Sequence, residues 1–161
     1  MKEKVLKTLN EQMNAEYYSA YLYLGMSAYA DRAGFKGTAG WLLRQAHEER
    51  EHAEKIFKFI LERGDAPAFA DIKATPPEYK SPEEVFKKVA AHERHVTDLI
   101  DAAATVALDE RDHAAYSFLR WFVDEQVEEV STADDILAKF TAVGNNPGLL
   151  FSLDAVLGQR Q

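Results

Sequence analysis

Four glutamates occupy positions where the helical pattern of the chain places apolar residues. When each apolar stretch is drawn as a helix with about 100° per residue, one glutamate falls inside the inward-facing stripe of each stretch. They are Glu16, Glu49, Glu93 and Glu129. His52 follows Glu49 by three residues and lies on the same side of the helix, so the two form a Glu-x-x-His pair.

Carboxylates grouped inside a helical core need compensating positive charge. One glutamate assigned to an inward stripe is readily explained as a residue that in fact lies on a solvent-exposed helix face. The same explanation does not hold for four, and glutamate is almost never buried without a partner. The inward stripes contain no lysine. Two divalent cations would balance four carboxylates if His52 is neutral. Oxygen ligands with one imidazole and no thiolate favour iron or manganese, although zinc would also bind, and we take iron as the first choice.

Apolar periodicity predicts that four long helices position these residues. The first runs from about Glu3 to Gly34, the second from about Lys36 to Gly64, the third from the Ser81 cap to about Asp109, and the fourth from about Asp112 to Gly144. The Ser-Pro-Glu-Glu segment at 81–84 is typical of a capped helix start. Because each glutamate lies near the middle of its helix, the four are expected to meet at one height in a bundle.

A proline-rich stretch separates the second and third helices and is interpreted as a loop. A helix of about 28 residues is roughly 42 Å long, and about 17 extended residues at up to ~3.3 Å each can cover that length. The sequence therefore predicts one all-α domain over 1–161, a four-helix bundle (about 3–143) with a long crossover between helices two and three. A short fifth helix, at about 146–157, is apolar around most of its surface and needs a neighbour to bury it.

Composition excludes several classes of function. The net charge of -8, from 27 acids against 19 bases, argues against nucleic acid or an anionic membrane as partner. The absence of cysteine removes disulfides, thiolate-bound zinc and iron–sulfur clusters. The amino-terminal segment is charged and amphipathic, and no apolar run reaches membrane length, so we expect a cytoplasmic protein.

The chain resembles the non-haem ferritins of bacteria and archaea over essentially its whole length. The resemblance is carried by the segments at 14–24 (NAEYYSAYLYL), 48–53 (EEREHA) and 118–129 (FLRWFVDEQVEE). It implies a ferritin-like fold in which one iron is held by Glu16, Glu49 and His52, and a second by Glu49, Glu93 and Glu129, with Glu49 bridging. It also implies oxidation of ferrous iron by dioxygen or peroxide, and storage of ferric mineral inside a hollow homo-oligomeric cage, expected to have 24 subunits.

The resemblance also implies roles for residues around the pair. Bacterial relatives often have a third iron position, and the matching residues are Glu48, Glu125, Glu128 and Glu129, although Glu48 and Glu128 fit an outward helix surface about as well. Gln126 matches a position where its amide would orient an oxygen ligand, with an ordinary polar core edge as the alternative. Tyr23 matches a tyrosine near the irons that hydrogen-bonds a ligand or gives up an electron, with a packed core tyrosine as the alternative.

The chain departs from the pattern of haem-binding relatives at two places. The fourth helix lacks a second Glu-x-x-His motif, and Arg50 stands where haem-binding relatives have a methionine, so no haem is expected. Four histidines have no role in this scheme and are interpreted as helix-surface or edge residues, namely His47, His92, His95 and His113. Of these, His47 and His95 are the candidates for approaching the site. Two rival functions are a DNA-protecting mini-ferritin with its metal site between subunits, and a di-iron oxygenase with a substrate pocket.

Overall fold

A computed structural model describes residues 1–159 as five helices without a strand in that range. They are α1 (Glu3–Arg32), α2 (Lys36–Glu62), α3 (Pro82–Asp109), α4 (His113–Val143) and α5 (Pro147–Leu157). The all-α prediction is therefore confirmed. Gly34 and Gly64 lie just beyond α1 and α2 with φ of +88° and +77°, a left-handed conformation that ends a helix and that glycine adopts without steric cost.

Side-chain caps begin three of the helices. Ser81 accepts a hydrogen bond from the Glu84 amide ahead of α3, and Pro82 occupies the first helical position. The Glu84 carboxylate accepts from the Lys80 amide, one residue earlier than in the usual reciprocal capping box. Asp112 caps α4 and Asn146 caps α5 in the same way. These caps satisfy amides that the first helical turn leaves unpaired.

The stretch between α2 and α3 runs along the full length of α1. It starts beside the amino end of α1, where Asp65 accepts from the terminal ammonium of Met1 at 2.5 Å. Midway, Asn14 donates to the Ala68 carbonyl at 2.8 Å. It finishes beside the carboxyl end of α1, where Arg32 donates to Glu78 at 2.5 Å. The long crossover predicted from the prolines is therefore present, and it makes α2 and α3 run in the same direction.

The core consists of two apolar clusters separated by a polar layer. One cluster, which includes Tyr23, Leu42 and Phe86, lies toward the α5 end of the bundle. The other lies at the opposite end and contains Leu9, Met13, Ile56, Ile100 and Phe122 among its buried members. Between them along the helices lie polar residues, all buried except the half-buried Glu129, and this set is the polar layer: Gln12, Glu16, Ser19, Gln45, Glu49, His52, Glu93, Gln126 and Glu129.

The α5 helix is fastened to the first turn of α2. The Asp154 carboxylate accepts from the Gly37 amide at 2.9 Å and from the Thr38 amide at 2.7 Å, whereas α2 has no side-chain cap of its own. Leu153 and Leu157 are buried against the bundle. The other side of α5 exposes large apolar residues, namely Leu149, Phe151 and Val156.

Within residues 1–159, none of the helices combines the length and the apolar character that crossing a bilayer requires.

Candidate metal centre

Three potential metal ligands meet in the polar layer. Oxygen atoms of Glu16 and Glu49 and a ring nitrogen of His52 all lie within 4.8 Å of one another. The side chains come from the middles of α1 and α2, and relative exposure is 1% for Glu16, 2% for Glu49 and 8% for His52. His52 Nδ1 lies 3.4 Å from Glu49 Oε2. A buried, compact set of two carboxylates and one imidazole is suited to a divalent cation.

The carboxylates of α3 and α4 approach this group through hydrogen bonds. Gln45 Nε2 donates to Glu49 Oε1 at 3.1 Å and to Glu129 Oε2 at 2.9 Å, so Glu129 lies beside Glu49. Glu93 is buried and accepts from the Tyr23 hydroxyl and, at 3.2 Å, from Gln126 Nε2. Glu93 and Glu129 thus lie next to the group of three ligands rather than inside it.

In the metal-free protein, burial raises the pKa of three of the four carboxyl groups at the metal centre. Burial raises the pKa of Glu93 to about 8 and that of Glu129 to about 7, and the negative charge of Glu49 is the next cause in both cases. The pKa of Glu16 is raised well above its ordinary value by burial and then by Glu49. Burial also raises the pKa of Glu49, but the hydrogen bond and charge of His52 outweigh it and leave this pKa lowered. The raised pKa values show that these carboxyl groups lack enough compensating positive charge in the metal-free protein.

Two buried acceptors in the layer receive no hydrogen bond from an amide or hydroxyl donor, although the Glu16 carboxyl shares a hydrogen bond with Glu49. They are Glu16 Oε2 and Gln12 Oε1. A buried polar atom without a partner costs roughly 1–3 kcal/mol, and native proteins seldom leave one without a reason. A cation beside Glu16 Oε2 would satisfy this oxygen and neutralise its charge. The donor set and this buried oxygen both fit a hard metal ion.

Comparison with known protein families assigns the chain to one of them. The family model for the ferritin-like domain matches residues 6–143, most of the chain. The chain belongs to the ferritin family.

Relatives and solved structures agree with this membership. A probable bacterial non-heme ferritin-like protein of Haemophilus influenzae is 40% identical, covering 98% of this chain and 96% of the relative. A bacterial non-heme ferritin of Bacteroides fragilis is 43% identical, covering 98% of both chains. An open pore ferritin of Archaeoglobus fulgidus is 43% identical with a TM-score of 0.98, covering 100% of this chain and 99% of that one. Iron storage in an oligomeric shell is the function that this family carries.

The residues that match the third ferritin iron position are split between a cavity and the surface. Glu48 and Glu125 are half-buried, and they line a cavity of about 570 Å³ between α2 and α4 together with His52 and Trp121. Glu128 is exposed. Two acids and the imidazole therefore share an opening beside the metal centre, while Glu128 points away from the core.

Tyr23 and Gln126 both contact a carboxylate of the layer. Tyr23 is 1% exposed, and burial followed by the charge of Glu93 raises its pKa well above the ordinary value. Gln126 is buried and donates to Glu93 and to Thr97 Oγ1. Each side chain therefore holds Glu93 in position, which is compatible with the roles that the resemblance implies.

The sequence analysis did not identify two glutamines that hydrogen-bond to the glutamates, and it named the wrong histidines as those nearest the site. Gln12 and Gln45 are buried and donate to the glutamates four residues later, at 2.7 Å for Glu16 and 3.1 Å for Glu49. The signal was present, because residues four apart share a helix face. His92, rather than His47 or His95, approaches the layer, and its Nε2 lies 2.8 Å from Ser19 Oγ. It is half-buried because it faces α1 and packs against Tyr23.

Proposed function

We propose that this protein is a ferroxidase that oxidises ferrous iron at a two-metal site in the polar layer and stores the ferric product. The observation that carries the proposal is the buried convergence of Glu16, Glu49 and His52 within 4.8 Å. Glu93 and Glu129 extend the site through the hydrogen bonds of Gln45, Gln126 and Tyr23. The convergence lies within one chain, which supports a ferritin over a mini-ferritin with its site between subunits.

The proposed ligand sets give each carboxylate a role. Glu16, Glu49 and His52 hold the first ferrous ion, and Glu49, Glu93 and Glu129 hold the second. Each ferrous ion loses one electron, and dioxygen takes up two electrons and two protons to form hydrogen peroxide, or peroxide accepts the electrons instead. Hard carboxylate oxygens favour the ferric product, and two ions held together can deliver both electrons to one oxidant.

Loading the site with iron displaces protons from the layer. Glu16, Glu93 and Glu129 have raised pKa values in the metal-free protein, and carboxylates bind metal only when deprotonated. The half-buried Glu125 and the cavity beside His52 offer these protons a way to solvent. A third iron position at Glu48, Glu125, Glu128 and Glu129 is supported by Glu48 and Glu125, which line the same opening, but not by the exposed Glu128.

Storage requires assembly of a shell, and we propose the 24-subunit cage of ferritins. The exposed apolar side of α5 supports burial of that helix against other copies of the chain. We expect no haem, no nucleic acid and no membrane as partners, and the cytoplasmic location also stays a prediction. The names of the bacterial relatives include the word non-heme, in keeping with the expected absence of haem.

Rapid mixing with iron tests the proposal. Metal-free protein mixed with two ferrous ions per subunit in aerated buffer should show a fast rise of ferric absorbance, and size-exclusion chromatography with light scattering should show a particle of about 24 subunits. Anaerobic mixing is the control and should give no rise. Oxidation no faster than in protein-free buffer would contradict the ferroxidase, and a small oligomer would favour the oxygenase.

A further inference from the structure

We propose that Gln45 is a positioning residue that decides where the second metal ion binds, an inference that rests on the two-metal function proposed above. Gln45 is fully buried in α2, one turn before Glu49. Its Nε2 atom donates to Glu49 Oε1 at 3.1 Å and to Glu129 Oε2 at 2.9 Å. The amide therefore ties a carboxylate of α2 to a carboxylate of α4.

The geometry of an amide makes this tie directional. A glutamine amide nitrogen carries two hydrogens in fixed directions, and each carboxylate oxygen has two lone pairs. With one hydrogen given to Glu49 and one to Glu129, the two accepting oxygens are held at a fixed separation. Each keeps a lone pair for a metal ion, so the second ion gains two preplaced ligands from different helices.

The tie also distinguishes the two oxygens of Glu49. Oε1 faces Gln45 and Glu129, whereas Oε2 lies 3.4 Å from His52 Nδ1. Oε2 is thereby placed on the side of the first ion and Oε1 on the side of the second. Gln45 thus prevents the bridging carboxylate from turning both oxygens toward one ion.

Gln12 provides a matched control within the same chain. It is also a buried glutamine four residues before a glutamate, and its Nε2 donates to Glu16 Oε1 at 2.7 Å. Glu16 belongs to the proposed first ion only. Gln12 and Gln45 therefore share residue type and depth, but Gln12 donates to one carboxylate of the first ion and Gln45 to two carboxylates of the second.

Anaerobic titration of the assembled metal-free protein with Co²⁺, followed by absorbance, separates these roles. Glu129→Ala identifies the binding step of the second ion and Glu16→Ala that of the first. Gln45→Met, which keeps an unbranched side chain without the donor, should weaken the second step about 10- to 100-fold, the usual effect of losing a ligand's outer partner. The first step should change less than about threefold, and Gln12→Met should show the reverse pattern.

A second measurement separates positioning from packing. In the Glu129→Ala background, Gln45→Met should weaken residual binding less than it does in the parent, because one of its two acceptors is gone. If Gln45→Met fails to assemble, Gln45→Asn is titrated instead, since its amide is one methylene too short to reach both oxygens, and the same selective loss is expected.

Two outcomes would overturn the inference while leaving the ferroxidase intact. One is a parent that binds two Co²⁺ ions per subunit and a Gln45→Met protein that binds them equally well. The other is equal weakening of both steps by Gln45→Met, which would make the residue a packing element. A parent that binds fewer than two ions would instead overturn the two-metal function, and the inference would fall with it.

Discussion

Glu49 carries the charge around which the other carboxylates of the layer are arranged. Its negative charge is the largest cause after burial of the raised pKa of Glu16, Glu93 and Glu129. Its own pKa is lowered because His52 lies within 3.4 Å. In the metal-free protein Glu49 therefore opposes the ionisation of three neighbours, whereas in the loaded protein it would serve both ions.

Replacing Glu49 should separate activity from stability. Glu49→Gln should lower the rate of the fast oxidation phase by more than the about 100-fold that loss of an outer partner costs, because a neutral amide offers one oxygen and cannot bridge both ions. Glu93→Gln is the control and should cost less, since it affects one ion. At pH 8 the metal-free Glu49→Gln protein should unfold at no lower denaturant concentration than the parent, because the substitution removes repulsion. Parental oxidation rates in Glu49→Gln would disprove bridging.

Metal affinity should depend on pH through the raised carboxyl pKa values. Glu93, with a pKa of about 8, and Glu129, with a pKa of about 7, bind protons that a metal must displace. Co²⁺ affinity should therefore rise as pH increases from 6 to 8. Calorimetry in buffers of different ionisation enthalpy should detect more protons released per ion at pH 6 than above pH 8. Equal proton release across this range would contradict the assignment.

The free energy of unfolding of the metal-free protein should fall as pH rises, whereas the metal affinity should increase. The ordinary glutamate pKa of 4.5 is raised in Glu93 and Glu129. Between pH 4.5 and pH 8 the folded state therefore binds more protons than the unfolded state. The contribution of these two groups to the free energy of unfolding is then largest below the unfolded pKa and falls as pH rises through the folded pKa. Urea unfolding of metal-free protein at several pH values measures this trend.

Substitutions at the third iron position should spare the first turnover. Glu125→Ala and Glu128→Ala leave the ligands of the proposed pair in place, so the initial oxidation rate at two irons per subunit should stay within about twofold of the parent, as for changes away from the reacting ions. Iron stoichiometry or later turnovers should change, more for the half-buried Glu125 than for the exposed Glu128. Rapid-mixing kinetics at successive iron additions measures both.

Residue types and spacing predict which side chains face the core, but they do not predict which of these side chains hydrogen-bond to each other. The stripe pattern placed Glu16, Glu49, Glu93 and Glu129 in the core; the first three are buried, whereas Glu129 is half-buried. The tie from Gln45 to Glu129 joins residues 84 positions apart, a contact that depends on how α2 and α4 are aligned. The raised pKa values likewise arise from packing of four helices, which a wheel drawn for one helix does not contain.

At the scale of elements, α2 begins with a cap supplied from the far end of the chain. Helix starts at Ser81 and Asp112 could be recognised because each cap is local. The cap from Asp154 to Gly37 and Thr38 spans more than 100 positions, and the local pattern at residues 35–38 contains no sign of it. Only the folded arrangement of α2 and α5 brings these groups together.

Gly37 and Gly40 form a matched pair for testing the docking of α5. A Cβ at Gly37 would lie 1.8 Å from the Asp154 carbonyl oxygen, whereas at Gly40 it would meet only Arg44 Nη1 at 3.7 Å. Gly37→Ala should therefore displace α5 and impair assembly, as measured by light scattering. Gly40→Ala should assemble normally and gain up to about 1 kcal/mol of stability from helix propensity. Normal assembly of Gly37→Ala would contradict the close packing of α2 and α5.

At the scale of the whole molecule, the crossover and α5 have separable tasks. The crossover is bonded along α1 from Asp65 to Glu78 and sets the direction of the α3–α4 pair. The α5 helix contacts one end of the bundle and leaves Leu149, Phe151 and Val156 exposed. The four long helices therefore form the bundle, and α5 covers one end of it while leaving an apolar surface exposed.

Truncation after Gly144 should test this division of tasks. Both apolar clusters keep their α1–α4 members, so circular dichroism should show nearly parental helix content. Loss of the exposed apolar side of α5 should reduce particle size in light scattering, because burial of apolar surface drives association. An unchanged particle would exclude α5 from assembly.

The polar layer also interrupts the apolar packing along the bundle, so the metal-free core consists of two separate apolar clusters. The apolar cluster near α5 and the cluster at the opposite end are joined in the metal-free state by carboxyl groups and by the hydrogen bonds of glutamine side chains. Such a boundary lets each half open as its own cooperative unit. Iron held by the proposed ligands from all four helices would link the two clusters, so we expect iron binding to make the bundle unfold as a single unit.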